Sequence, residues 1–124
     1  RFERGRGGHY VKVRAPNITI TGNSFDDSKG RKTNYAIDLP EGGTGLIAGN
    51  TFVQGPNKEN WTAFITLSAE QKTFSTAGMR IENNVATLAP GVTKQPAFVA
   101  DYSGEELAIG ENRLGPGVRR FERR

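Results

Sequence analysis

The chain has no cysteine, and only one histidine, one methionine and one tryptophan. Without thiols there is no disulfide staple, no thiolate metal site and no cysteine nucleophile. No apolar run approaches the ~20 residues that span a bilayer, and no signal peptide opens the chain. It begins on Arg1, so it reads as a processed or excised piece. Hydrophobic residues are also scarce, at 35%, which is lean for a layered α/β core. Glycine is what the chain has in quantity, 16 among 124 residues, and that suits a turn-rich all-β domain with one modest core.

The net charge of +4 is unevenly placed. Residues 1–14 hold five basic side chains and one acidic, residues 113–124 hold the same, and the span between them is acidic. A nucleic-acid module needs its cations on a folded face, among aromatics or beside a groove-reading element. Here the excess reads as two solvated basic tails, 1–7 and 116–124, flanking a domain over 8–115. Specific nucleic-acid binding is therefore not expected, although loose attraction to polyanions is. The tails share an echo, "RFER" at Arg1–Arg4 and again at Arg120–Arg123, which the sequence does not explain.

Inside the domain a motif recurs four times: "ITGNSF", "IAGNTF", "IENNVA" and "IGENRL". Asn23, Asn50, Asn84 and Asn112 fall 27, 34 and 28 residues apart, each three residues after Ile20, Ile47, Ile81 or Ile109. A second set, "HYVKVRA", "NYAIDLP", "TAFITLS" and "PAFVADY", precedes the copies and aligns Val11, Ile37, Ile65 and Val99. Both sets alternate apolar and polar residues over a few positions, which marks short strands, with turn formers between them. The best helical candidate, "SAEQKTFSTAG", reads as a loop insertion that lengthens the third interval. Units this small bury an apolar face only by stacking, each strand pairing with its equivalent ~4.8 Å away. The expected fold is all-β, a short parallel β-helix (solenoid) of about four coils. The asparagines sit at sharp corners and form an amide ladder, with Gly22 and Gly49 relaxing the turn. An antiparallel β-sandwich explains the alternation equally well, but not the phase of the asparagines.

"GHYVKVRA…NITITGNSFDDS" and "TNYAIDLPEGGTGLIAGNTFVQGPNKEN" resemble the right-handed parallel β-helix repeat proteins of bacteria, in the pectate-lyase-like superfamily. The likeness covers roughly residues 8–115. The resemblance implies a right-handed winding and an extracytoplasmic (periplasmic or secreted) carbohydrate context. It leaves activity open, because this fold hosts lyases, hydrolases, epimerases and inert stalks. "YVKVRA" is similar to the strand that carries the lysine base in some acidic-polysaccharide lyases, which makes Lys12 the candidate base with Arg14 and Tyr10 assisting.

The residues themselves weigh against that chemistry. Alternation points Val11 and Val13 inward and Tyr10, Lys12 and Arg14 outward, and stacking sets Lys12 beside Asp38, an ion pair that keeps the lysine protonated. His9 has no serine or cysteine partner for a triad. "EGGTG" lacks the lysine and helix of a phosphate loop. Asp26 and Asp27 read as a solvated turn with too few oxygens for a dedicated calcium site, so no metal or cofactor is expected. Asp101 falls in an uncertain register. A sugar-binding face is easier to support: Phe64 and Phe98 continue the outward row of Tyr10, with Trp61 nearby, and exposed aromatics stack on sugar rings, unless the "SAEQKTFSTAG" insertion or a neighbouring chain covers Phe64 and Phe98, which is the simpler reading. The expected role is a non-catalytic structural or carbohydrate-contacting module. The alternative is a polysaccharide lyase with Lys12 as base. Open sheet edges make a homo-oligomer plausible, end to end or side by side.

Overall fold

The computed structural model describes residues 1–124, with sixteen strands and no helix. The first pass of the repeat gives β1 (Phe2–Glu3), β2 (Arg6–Gly8), β3 (Val11–Lys12) and β4 (Asn17–Thr21). The second gives β5 (Ser24–Asp26), β6 (Arg31–Thr33), β7 (Ile37–Leu39) and β8 (Thr44–Ala48). Then come β9 (Thr51–Gln54), β10 (Ala63–Leu67) and β11 (Arg80–Glu82), followed by β12 (Val85–Leu88), β13 (Ala97–Asp101) and β14 (Ala108–Ile109). The chain closes with β15 (Arg113–Leu114) and β16 (Arg119–Arg123).

Each strand pairs with its equivalents in neighbouring passes. Three sheets result, in the orders β1-β5-β9-β12-β15, β3-β7-β10-β13-β16 and β4-β8-β11-β14, with a small β2-β6 pair. Every pairing is parallel, which excludes the antiparallel sandwich. The registers are those of the sequence repeat. Ile20, Ile47, Ile81 and Ile109 form one row, and Val11, Ile37, Ile65 and Val99 form another.

The third row runs Phe2, Phe25, Phe52, Ala86, Leu114. Phe25 stacks on both Phe2 and Phe52 at 4.9 Å between ring centres, the rings within 5° of parallel. Burying such a ring contributes on the order of 2 kcal/mol, and stacking adds about 1 kcal/mol.

The asparagines form a ladder. Asn23 donates from its backbone N–H and its amide to Asn50 Oδ1 at 2.9 and 3.3 Å. Asn50 does the same to Asn84, and Asn84 to Asn112, at 2.9–3.1 Å. At the first three corners the left-handed residue is not the ladder asparagine but the one before it: Gly22 (φ 69°), Gly49 (φ 67°) and Asn83 (φ 57°). "EGGTG" has a steric reason as well. A Cβ on Gly45 (φ 138°) would lie 2.0 Å from the Ile18 carbonyl oxygen, so the close approach of β8 to β4 requires glycine.

Two expectations need correction, and the "RFER" echo finds its place. The segments read as solvated tails are strands: β1 and β2 pair with β5 and β6, and β16 pairs with β13. The "RFER" echo places Phe2 and Phe121 in inward rows of two different sheets, with the arginines outside. Phe64 and Phe98 do not face solvent. They are 1% and 0% exposed and pack edge-on and tilted against Phe52 and each other. In β10 both Phe64 and the adjacent Ile65 belong to the core, so strict alternation fails at that point.

Candidate functional site

The nominated residues lie on the outer side of the β3-β7-β10-β13-β16 sheet. Register sets Lys12, Asp38, Thr66, Ala100 and Glu122 in one row. Asp38 is 3% exposed and anchors the cluster. The Thr66 hydroxyl donates to its Oδ1 at 2.6 Å, while His9 Nε2 and Lys12 Nζ stand 3.3 and 3.5 Å from its Oδ2.

The loop 68–78 supplies what the sequence did not reveal. It hangs on Pro40 and Glu41 through backbone bonds from Glu70, Gln71 and Phe74. That brings Glu70 over the first strand, where one carboxylate oxygen takes Lys12 Nζ and the other takes Arg14 Nη2, both at 2.8 Å. Arg14 Nε also meets Glu41 at 3.0 Å. Glu70 lies 58 positions from Lys12, and no local pattern announces the contact.

The electrostatics follow. The hydrogen bond to Glu70, reinforced by Asp38, raises the Lys12 pKa. The lysine and arginine bonds lower that of Glu70. Burial lowers the His9 pKa, outweighing the opposing pull of Asp38. His9 Nδ1 is buried without a partner, and the ring stacks on Tyr35 at 5.5 Å. A proton-abstracting lysine needs its free amine at working pH, and here Lys12 is held as ammonium.

Tyr10 does not join this cluster. Its hydroxyl accepts from Gly5 N at 3.0 Å and donates to Asp27 Oδ1 at 2.8 Å, and burial raises its pKa. Asp27 is not in a solvated turn either. It is 5% exposed, accepts from Thr33 and the Gly55 N–H, and pairs with the buried Lys58 at 3.2 Å. Burial lowers the Lys58 pKa against the pull of Asp27. Asp26 bonds Ser28 and Arg1 instead, so the two carboxylates diverge and share no cation position.

Of Trp61, Phe64 and Phe98, the three aromatics proposed to bind sugar, Trp61 alone keeps partial exposure. Lys94 lies over its ring at 5.2 Å, beside a shallow cavity of about 220 Å³. No large hydrophobic side chain is exposed anywhere on the molecule. Asp101 is fully buried and binds the 103–104 turn and Arg123. No group of three or more His, Asp or Glu side chains converges to hold a metal ion, and no helix is long and apolar enough to cross a membrane. No family model, curated protein or solved structure matches the chain.

Proposed function

We propose that this chain is a non-catalytic structural module, wound as a short right-handed parallel β-helix of about four coils. The coiling is supported by parallel pairing of each strand with its equivalent one repeat away and by the continuous asparagine ladder, while its right hand rests on the resemblance. The absence of catalysis is carried by one observation: Lys12, the base nominated by the resemblance, is neutralised by Glu70 and Asp38, and Glu70 and Glu41 occupy Arg14. Nothing charged remains free in that cluster to receive a uronate carboxylate. The stacking face for sugars is weakened too, since Phe64 and Phe98 sit in the core.

On this reading the open strands at the two ends, β1, β3 and β4 at one and β14, β15 and β16 at the other, are the functional surfaces, where further coils or copies add. The resemblance to extracytoplasmic β-helix proteins is consistent with such a spacer role. The test is incubation with alginate, pectate and chondroitin sulfate while following the ultraviolet absorbance of unsaturated products. The expected trace is flat for all three. Product formation abolished by Lys12→Ala would overturn the reading in favour of the lyase.

A further inference from the structure

We infer that the β2-β6 face is an oxyanion-binding cleft for a sulfated glycan, a site separate from the Lys12 cluster and independent of whether that cluster is catalytic. Two adjoining clefts of about 440 and 640 Å³ share Arg6, Arg31 and Asn57. Arg4 and Lys29 line the first, and Lys32 the second. All five cations are exposed. None forms an ion pair or a side-chain hydrogen bond, whereas Lys12, Arg14 and Lys58 do. Lys29 comes only near enough to Asp26 to lower its pKa slightly, after Ser28 and Arg1.

Three features go beyond a solvated charge run. Arg6 and Arg31 are direct partners in the β2-β6 register, about 4.8 Å apart along the sheet, an arrangement that repels unless something anionic lies between. Arg4 (φ 56°) and Lys32 (φ 51°) are two of only four non-glycine residues with left-handed backbone. Glycine or asparagine would hold those corners at lower cost, so the cationic side chains are kept against a conformational penalty. Finally, Asn57 Oδ1 accepts from the Lys32 N–H at 2.9 Å, which leaves its amide N–H₂ unpartnered beside the guanidinium groups. Every side-chain group on the cleft is then a donor.

The ligand class follows from what the lining lacks. No hydrophobic or aromatic residue lines either cleft, so nothing stacks on a nucleic-acid base. Recognition falls on the anionic groups alone. Guanidinium forks bind planar faces of oxyanions in bidentate fashion. Donors from three separate segments, β2, β6 and the turn at Asn57, suit a group with three terminal oxygens over a two-oxygen carboxylate. A sulfate ester on a linear glycan offers that group repeatedly, and the two adjoining clefts take successive esters.

The experiment measures binding of a size-defined heparin oligosaccharide at fixed ionic strength, with charge-matched hyaluronan, polyphosphate and single-stranded DNA as competing arms. Arg6→Ala with Arg31→Ala is expected to weaken heparin binding about a hundredfold, roughly tenfold for the charge-assisted hydrogen bond lost with each guanidinium. The equally discharged control, Arg113→Ala with Arg120→Ala, is expected to change it less than about twofold, the long-range effect of net charge alone. Arg4→Gly with Lys32→Gly gives a second readout: the melting temperature rises as strain is relieved while heparin binding falls. Equal losses in the cleft pair and the control pair would reduce the effect to net charge and overturn the site. So would absence of heparin binding, or preference for DNA, polyphosphate or hyaluronan.

Discussion

At the scale of single residues, Asn50 shows how much one corner amide carries. It accepts from Asn23 twice in a half-buried setting and donates to Asn84 Oδ1 and the Ile20 carbonyl in a buried one. Asn50→Ala is expected to cost about 3 kcal/mol, because buried partners are orphaned. Asn23→Ala, at the open end of the ladder, should cost about 1 kcal/mol. Urea midpoints compare the two, and equal losses would mean that the ladder is decorative. His9 makes a pH prediction. Its folded pKa lies below the ordinary 6.5 because burial outweighs Asp38. The neutral ring's contribution is therefore intact above the unfolded value and is lost as pH falls through it toward the folded pKa. Thermal melts should show stability declining in that window, with an NMR titration midpoint below 6.5. Asp38→Asn should move the midpoint lower still; an upward move would contradict the assignment. Both residues differ in how far the sequence exposed them. Asn50 was legible because its motif repeats in phase, whereas His9 has no periodic partner and its tie to Asp38 appears only once strands are stacked.

At the scale of elements, the sequence reveals what repeats and hides what does not. The Ile and Val rows are written as alternation, and the sheets follow from it. β16 imitates a solvated tail because charged residues surround Phe121 on both sides, although that single inward ring is enough to seat it on Val99. Phe64 was misread because β10 breaks its two-residue period. The turn "FDDSKG" was misread because its buried partner, Lys58, arrives from a loop 31 residues later. That pair yields a sharp test. Asp27→Asn leaves the Lys58 ammonium buried with only the Asn34 carbonyl as direct partner, and should cost about 3–5 kcal/mol. Adding Lys58→Met removes the stranded charge and should recover more than half of that loss. Denaturant unfolding of the two single variants and the double variant gives the coupling. Additive losses would mean that Asp27 acts through Tyr10 and Thr33 alone.

At the scale of the whole molecule, the ends hold the unsatisfied chemistry. A parallel sheet leaves backbone donors and acceptors bare along its outermost strands, and here each of the three main sheets has such an edge at both ends. The rows that end there are apolar enough to extend, through Phe2 and Val11 at one end and Leu114 and Phe121 at the other, all partly buried. What opposes docking is charge: five basic residues against one acidic at each end, on a chain of net charge +4. The two terms differ in range. Repulsion between the ends reaches about 10 Å at 0.1 M salt and about 3 Å at 1 M, whereas strand pairing and apolar contact act only at contact and persist when charge is screened. Association through the ends should therefore rise with salt, opposite to assembly driven by ion pairs. Sedimentation velocity across that salt range is expected to show a monomer at the low end and a growing dimer at the high end. Arg1→Glu with Arg120→Glu, which reverses one charge at each end, should bring the dimer in at lower salt. A dimer that dissolves as salt is added would point to ion pairing between copies, and a monomer throughout would mean that the arginine-flanked edges are closed to further strands.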